Sequence, residues 1–434
     1  MKVSANFDFD VVALQQEETL TCLVQFEAPV PQDMQDRPAE CVIPVLDCSG
    51  SMSGEPIQAC KEALHTLIDR MKPQDIFGLI TFNKSASIHI PSRAMGDHDL
   101  AAVHQLIESV TPSGTTDLSA GYLLGLDQAK RQRQQTGASI ILLSDGHANA
   151  GITDSKQIGQ IALSAHAERI TSTTIGIGEG YDELLLAEIA TQGSGNHRFA
   201  HTADDAIAIL SEESGDLLNK SVINAFLRLV PNDPALIQGI GTLQEVNKWI
   251  ETNSNHDPVV VIPLGDIYAG ETRELLVQFK IPGMADLGPH AIGDFLIDFV
   301  SLPTLEQSQI TWPIIINVGT TKQASNRIPN PTVTTAMLIT ENAKVQREAS
   351  QELRRGQTEQ ARQRIQNQLD HMTSSPNAKH FEKEINHLDK ILAGIEREDA
   401  NRMSKSLYED SNLNIRGRNR DQGRQERSRG KREF

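Results

Sequence analysis

Three oxygen-bearing side chains follow a short apolar segment near the start of the chain. In the stretch IPVLDCSGSMSG (residues 43–54), Asp47 ends the apolar run, and Ser49 and Ser51 follow it at alternate positions. In an extended loop the carboxylate and the two hydroxyls point the same way and offer only oxygen ligands, which suit a hard divalent cation. Asp and Ser are also common helix N-caps, so this stretch alone is equally compatible with capping.

Two later segments carry similar side chains. In TPSGTTDLSAGYLLGL (residues 111–126), Gly114, two threonines and Asp117 precede a predicted helix, and in IILLSDGHANAG (residues 140–151) an apolar run ends at Asp145. Both segments, like the first, are junctions at which a strand or loop leads into a helix. A parallel sheet gathers such junctions at the carboxyl edge of its strands, where ligands bind. Buried carboxylates are costly there unless they are paired or bind a metal.

The elements that must position these side chains follow a strand–helix alternation over residues 39–217. Helical periodicity is clear in PIQACKEALHTLIDRM, where apolar residues recur on one face. The alternation predicts a doubly wound, mostly parallel sheet with helices on both faces. Apolar runs predict its strands at residues 41–46, 76–82, 139–143 and 170–177, and further helices are predicted near 98–110, 118–135, 155–168, 182–192 and 203–218.

The flanking segments have a different character. Residues 1–38 and 218–320 contain alternating apolar patterns, which predict the strands of one β-sandwich into which the α/β domain is inserted. The similar stretches ETLTCLVQFEAP and ETRELLVQFKIP mark either an internal duplication or simply two sandwich strands. Residues 325–400 predict a small region of helical hairpins, and residues 401–434 predict a disordered basic tail.

The net charge argues against nucleic acid or an anionic membrane as the main partner of the whole molecule. The 434 residues carry a formal charge of −17, although those from Asn401 onward hold ten Lys and Arg against five Asp and Glu. Nucleic acid remains open for this tail alone, whose arginine-rich end has no interleaved aromatic residues to stack on bases.

The sequence shows neither a secretory signal nor an apolar run long enough to span a membrane. The four cysteines form no C-x-x-C pair, which predicts free buried thiols and a cytoplasmic location.

Taken together, the motifs of residues 39–217 resemble those of the von Willebrand factor type A family. The D-x-S-x-S motif is present as DCSGS, the G-x-T-[ND]-L motif as GTTDL, and the later strand as LLSDGHANAG. In that family these motifs form a metal-ion-dependent adhesion site. Thr116 is chosen over Thr115 as the family threonine because the following DLSAG aligns it so. The resemblance implies that one divalent cation is held by Asp47, Ser49, Ser51, Thr116 and Asp145.

The resemblance also implies a cofactor and a kind of partner. The cation is expected to be Mg²⁺, with Mn²⁺ or Ca²⁺ as substitutes, and a protein partner is expected to supply an Asp or Glu side chain to it. The predicted function is that of a non-enzymatic scaffold; the alternatives are an adaptor subunit of an AAA-type ATPase complex and a metal-dependent hydrolase. The sequence has no G-x-x-x-x-G-K-[ST] phosphate loop and no H-E-x-x-H zinc motif. His147, shortly after Asp145, is either at the rim of the site or merely exposed. The sequence specifies neither the partner's identity nor an oligomeric state.

Overall fold

A computed structural model of the protein shows two separate units. The strand–helix alternation forms one unit, and the segments that flank it form the other. One unit comprises Asp33–Lys220, and the other combines Met1–Gln32 with Ser221–Phe434. Three strands of the second unit come first in the chain: β1 (Lys2–Phe7), β2 (Val12–Ala13) and β3 (Glu18–Glu27). The structure describes residues 1–30, 37–133, 136–145, 148–178, 180–200, 202–232, 239–244, 248–252, 258–302, 304–375, 378–396, 400–415 and 418–419.

The middle unit, Asp33–Lys220, is a six-stranded sheet flanked by helices. Its strands are β4 (Cys41–Asp47), β5 (Ile76–Phe82), β6 (Ala86–Ala94), β7 (Ala138–Ser144), β8 (Ile170–Ile177) and β9 (Ser194–Ala200). Its helices are α1 (Glu55–Arg70), α2 (Leu100–Ser109), α3 (Leu118–Gln132), α4 (Ser155–Ala167), α5 (Glu183–Gln192) and α6 (Ala203–Leu217). The strand order is β6-β5-β4-β7-β8-β9, and only the β5–β6 pair is antiparallel. The predicted doubly wound, mostly parallel sheet is therefore confirmed.

Burial explains why the central strands are apolar along their whole length. Every residue of β4 (CVIPVLD) and of β7 (ASIILLS) is buried, as expected for parallel strands covered on both faces. The two outermost strands, β6 and β9, were not predicted. Their sequences, ASIHIPSRA and SGNHRFA, mix polar and apolar residues because an edge strand need not be apolar throughout. Of the nine residues of β6 only Ile90 is buried, whereas most of β9 is buried.

The flanking unit contains two sheets that share one apolar core. Its later strands are β10 (Lys220–Pro231), β11 (Gly239–Thr242), β12 (Trp249–Thr252), β13 (Pro258–Tyr268), β14 (Thr272–Ile281), β15 (Gly288–Ser301) and β16 (Glu306–Gly319). One sheet has the order β1-β3-β14-β11 and the other β12-β13-β10-β15-β16-β2. The two similar stretches of sequence are β3 and β14, which pair antiparallel with Leu23 opposite Leu276. The N-terminal strands thus complete a sandwich with strands that follow the middle unit, as predicted.

The C-terminal region is helical, as predicted, but it extends further than the sequence indicated. Its helices are α7 (Thr321–Ser325), α8 (Pro331–Arg354), α9 (Thr358–Ser374), α10 (Glu382–Glu396) and α11 (Ala400–Ile415). The prediction of a disordered tail from residue 401 is wrong for α11, because Leu407 of that helix is buried in one apolar cluster with Leu353 and Leu388. A short strand, β17 (Arg418–Asn419), pairs with β14, and the predicted tail beyond it lies outside the described residues. In the described part of the chain, no helix is long and apolar enough to cross a membrane.

Candidate metal site

Strand register brings the two predicted carboxylates to neighbouring strand ends. β4 and β7 are adjacent and parallel, and Leu46 lies opposite Leu143. Asp47 is the last residue of β4, and Asp145 directly follows the last residue of β7. Asp47 is fully buried, whereas Asp145 is partly exposed. The edge of the sheet therefore carries one inner and one outer carboxylate.

A chain of hydrogen bonds joins these carboxylates through the two serines of the first loop. The backbone N–H of Ser49 donates to Oδ1 of Asp47 over 2.7 Å. The hydroxyls of Ser49 and Ser51 lie 3.1 Å apart, and the Ser51 hydroxyl donates to Oδ1 of Asp145 over 2.8 Å. Ser49 is buried and Ser51 is exposed. Four of the five predicted ligands are thus linked in one chain of hydrogen bonds, which reaches Asp47 through the backbone of Ser49.

The hydroxyls of Ser49 and Ser51 do not cap a helix, which was the other role considered for these serines. Ser49 precedes a short 3₁₀ helix, Gly50–Met52, but its side chain makes no capping hydrogen bond. The residue before α1 is Gly54, which has no side chain to donate or accept. By contrast, the Asp117 carboxylate caps α3 by accepting from the backbone N–H of Ala120 over 2.9 Å. The serine hydroxyls contact each other and Asp145 instead of the backbone.

Backbone hydrogen bonds attach the loop that contains Thr116 to the first loop. The N–H of Gly50 donates to the carbonyl of Gly114 over 3.1 Å, and the N–H of Ser113 donates to the carbonyl of Cys48 over 2.7 Å. Because these bonds run in both directions between the loops, the segment before α3 is held beside the Asp47 loop.

Thr116 itself is placed by its backbone. Its carbonyl accepts a hydrogen bond of 3.0 Å from the N–H of Asn149, which lies in the loop after Asp145. Its side chain is buried, with 3% of its surface exposed, and it takes part in none of the described hydrogen bonds that link the other four residues. All three loops are therefore bonded together, and Thr116 stays a predicted ligand.

The sequence analysis missed Ser144, which supports the inner carboxylate. Its hydroxyl donates to Oδ2 of Asp47 over 2.6 Å, and Ser144 is fully buried. Asp47 thus accepts hydrogen bonds on both oxygens, one from its own loop and one from the neighbouring strand. The available signal was a single polar residue at the end of the apolar run IILL, directly before Asp145.

Burial raises the pKa of both carboxyl groups. For Asp47 the loss of hydration is the largest cause, and hydrogen bonds from Ser144 and Ser49 offset part of it. For Asp145 the loss of hydration raises the pKa to about 6, the hydrogen bond from Ser51 lowers it, and repulsion from Asp47 raises it further. In the described part of the chain, no positively charged side chain contributes to the pKa of either group. The pair of carboxylates lacks a compensating cation among these residues.

This set of donors fits a hard divalent cation. Carboxylate and hydroxyl oxygens are the ligands that Mg²⁺, Mn²⁺ and Ca²⁺ prefer, and a cation would offset the cost of the two buried negative charges. The described residues contain no group of three or more His, Cys, Asp or Glu arranged to hold a metal. A cation at this edge would therefore depend on the hydroxyls as much as on Asp47 and Asp145.

Cys48 and His147, which lie close to the predicted ligands in the sequence, were also considered. Cys48 is buried, and burial raises the pKa of its thiol to about 12, so it is a free, buried and neutral thiol, as predicted for all four cysteines. The thiolate that a metal would need is not formed near neutral pH. His147 lies outside the described residues.

The fold and the loops at its edge define a recognisable class of domain. Residues 42–213 match the von Willebrand factor type A domain family. This segment lies within the middle unit and includes all three loops of the site. The chain therefore contains a von Willebrand factor type A domain, as the motifs predicted.

Several proteins are similar to this chain in sequence. An uncharacterized protein of Synechocystis sp. (strain ATCC 27184 / PCC 6803 / Kazusa) is 26% identical over 289 residues, which are 65% of this chain and 67% of that protein. The uncharacterized protein YfbK of Escherichia coli (strain K12) is 28% identical over 253 residues, 57% of this chain and 43% of YfbK. Inter-alpha-trypsin inhibitor heavy chain H1 of Bos taurus is 26% identical over 172 residues, 38% of this chain and 19% of the heavy chain. The chain thus spans less than half the length of the last two proteins.

Two solved structures share the whole architecture. A von Willebrand factor type A protein from Catenulispora acidiphila has a TM-score of 0.72 at 19% identity, covering 90% of this chain and 89% of that one. The ArnB paralog VWA2 from Sulfolobus acidocaldarius has a TM-score of 0.63 at 15% identity, covering 96% of this chain and 98% of that one. Because both similarities extend well beyond the matched domain, the accompanying sandwich and helices recur with it.

Proposed function

We propose that this protein binds a partner protein through one divalent cation held at the carboxyl edge of its parallel sheet. The observation that supports the proposal is the convergence of two carboxylates, bridged by serine hydroxyls and without a positive partner among the described residues. The proposed ligands, direct or through water, are Asp47, Ser49, Ser51, Thr116 and Asp145.

The proposed cation is Mg²⁺, with Mn²⁺ or Ca²⁺ as substitutes. When bound, it would offer an open coordination position to an Asp or Glu side chain of the partner. Asp47 would hold the inner side of the site, because it is fully buried and fixed on both oxygens by hydrogen bonds. Ser51 and Asp145 would form the outer rim, because both are accessible to a partner. Two carboxylates balance the charge of a divalent cation, so an incoming carboxylate would meet no large excess of negative charge.

We propose binding rather than catalysis for this site. In this proposal residues 39–217 form the binding domain of a cytoplasmic scaffold. The sandwich segments 1–38 and 218–320 and the helical region 325–400 carry that domain.

The first test measures metal binding directly. Mn²⁺ is titrated into the metal-free protein and followed by electron paramagnetic resonance, and Mg²⁺ is then added as a competitor. We expect one tight site in the wild type and its loss in the double variant Ser49→Ala/Ser51→Ala. Ser53→Ala is the matched control, because Ser53 is an exposed serine of the same loop whose described hydrogen bond is made by its backbone. Equal Mn²⁺ affinity in all three proteins would contradict the ligand assignment.

The second test measures the role of the metal in partner binding. Affinity capture from native lysate is carried out with Mg²⁺ and with EDTA, using the wild type, the double variant and Ser53→Ala. We expect the wild type and Ser53→Ala to retain partners in Mg²⁺. These partners should be lost from both proteins in EDTA and from the double variant in either buffer. Partners retained equally in every condition would refute binding through the metal. An ATPase among the metal-dependent partners would support the adaptor alternative.

A further inference from the structure

Two histidines on neighbouring helices of the middle unit face each other through the same ring atom. Nδ1 of His65 in α1 lies 2.6 Å from Nδ1 of His104 in α2. The two rings are stacked, with centroids 4.7 Å apart and planes inclined by 28°. Neither residue belongs to the oxygen site, and they are 39 positions apart in the sequence.

A carboxylate lies near the Nε2 atom of each imidazole. Nε2 of His65 is 2.8 Å from Oε1 of Glu108, and Nε2 of His104 is 3.6 Å from Oδ1 of Asp69. Lys61 holds Glu108 in place: its ammonium donates to the Glu108 backbone carbonyl over 2.8 Å and lies 3.7 Å from Oε2. A hydrogen bond therefore orients His65 from its Nε2 side, a longer ion-pair contact lies on the Nε2 side of His104, and the Nδ1 atoms of the two rings lie next to each other.

These contacts indicate which nitrogen atoms of the two imidazole rings are protonated. Glu108 is an exposed carboxylate beside Lys61, so near neutral pH it is ionised and can only accept a hydrogen bond. Nε2 of His65 must then be the donor, and in the neutral ring Nδ1 carries a lone pair. Asp69, whose Oδ1 lies 3.6 Å from Nε2 of His104, would favour the same arrangement in that ring. With Nε2 protonated in both rings, both Nδ1 atoms carry lone pairs, and a separation of 2.6 Å then requires a cation between them, which is either a proton or a metal ion.

We propose that His65 and His104 bind one late first-row divalent cation, such as Zn²⁺, through their two Nδ1 atoms. Imidazole nitrogen suits Zn²⁺, whereas the oxygen site suits Mg²⁺, so donor chemistry separates the two sites. Carboxylates that accept the outer N–H of a ligating histidine are the usual support of such a site.

A metal ion would require the two rings to move apart by less than about 1 Å. With metal–nitrogen distances of about 2.0–2.1 Å, the two nitrogens would separate to roughly 3.3 Å in a tetrahedral site. The side chains of His65 and His104 are 23% and 35% exposed, so small rotations can open the pair and water can complete the coordination. Competition by cysteine is not expected, because all four thiols are buried and burial raises the pKa of Cys22, Cys41 and Cys48 to about 12.

The test is a calorimetric titration of Zn²⁺ into the untagged full chain at pH 7.5, in excess Mg²⁺ to occupy the oxygen site. We expect one zinc site, and at least about a tenfold loss of affinity in His65→Gln and in His104→Gln. Glu108→Gln should lose about tenfold, because it removes a supporting carboxylate and not a ligand. The matched control is His290→Gln, since Nε2 of His290 contacts a backbone carbonyl in the other unit. Thermal unfolding of each metal-free variant shows whether it is folded.

A second readout identifies the nitrogen atoms involved. In ¹⁵N-edited NMR spectra of the imidazoles, Zn²⁺ should move the Nδ1 resonances of both histidines and leave their Nε2 atoms protonated. Asp47→Ala should retain this response, so failure of the oxygen site and failure of this site can be told apart. If Zn²⁺ leaves both Nδ1 resonances unchanged and the spectra show only a proton shared between the rings, the proposal is overturned. Zinc binding of equal affinity in both histidine variants overturns it as well.

Discussion

Replacement of Asp145 by Asn should stabilise the metal-free protein. The pKa of Asp145 is raised from 3.8 to about 6, so the fold disfavours the ionised carboxylate. At about 1.4 kcal/mol for each pH unit, this corresponds to at most about 3 kcal/mol in the free energy of unfolding at neutral pH. Because Asp145 is partly exposed, solvent screening reduces the figure to about 1–2 kcal/mol. Asn removes the charge and keeps an oxygen that can accept the Ser51 hydrogen bond.

The pH dependence of this difference has a definite sign. A carboxyl group whose pKa is raised by folding contributes stability that is complete below its unfolded pKa and is lost as the pH rises through its folded pKa. Metal-free wild type should therefore lose stability between about pH 4 and pH 6, around the values of 3.8 and about 6 for Asp145. The advantage of Asp145→Asn should be full at pH 7.5 and should disappear below pH 4.

Metal should reverse the order of stability. A ligand present at a hundred times its Kd stabilises the folded state by about 2.7 kcal/mol, and the variant lacks one of the proposed ligands. Urea unfolding in EDTA and in Mg²⁺ measures both effects, and thermal unfolding should shift by about 2–4 °C for each kcal/mol in a domain of this size. Asp99→Asn is the control, because Asp99 is an exposed N-cap of α2 and Asn caps equally well. The reasoning is refuted if Asp145→Asn is less stable than the wild type in EDTA at pH 7.5, or if Mg²⁺ stabilises both proteins equally.

Three further predictions concern the same edge of the sheet. Ser144→Ala should lower the free energy of unfolding by about 1–3 kcal/mol in urea titrations, because it removes the buried hydroxyl that donates to Asp47. Gly151→Ala should cost about 1–3 kcal/mol and weaken Mn²⁺ binding, since φ is +75° and an added Cβ would lie 2.1 Å from a serine hydroxyl. Gly178→Ala, at φ +69° with no atom of the described residues within 4 Å of the added atom, should cost less in the same measurement. Mn²⁺ affinity should fall by up to about tenfold for each pH unit below 6, because a proton competes for Asp145.

Two of the three loops of the site could be predicted because each follows a buried, largely apolar strand, β4 or β7. A seven-residue segment such as CVIPVLD or ASIILLS has few ways to be buried except as a central parallel strand, and the polar residues at its end then lie at the carboxyl edge. Ser144 could not be identified in this way. It occupies the last position of a buried strand, and only the register of β7 against β4 brings its hydroxyl to Asp47.

The two strands and the helix that were not predicted from the sequence each contain both polar and apolar residues. The edge strands Ala86–Ala94 and Ser194–Ala200 pair along one side only, so polar residues are tolerated and no apolar run marks them. Helix α11 has few apolar residues over Ala400–Ile415, and its composition resembles that of a solvated tail. What fixes it is the long contact with α8, where the hydroxyls of Ser350 and Ser404 lie 3.0 Å apart. Such a contact depends on the tertiary fold and leaves no local pattern.

The same distinction explains why one proposed metal site could be predicted from the sequence and the other could not. Ligands that follow parallel strands converge because the topology places all the strand ends at one edge, whatever the side-chain details. Ligands on two helices converge only if the rotation of each helix directs both side chains to one point, as α1 and α2 do for His65 and His104. A helix advances by about 100° per residue, so a shift of one position would separate the rings. The imidazole pair is therefore a property of helix packing, and substitutions that tilt α2 should weaken zinc binding without altering the oxygen site.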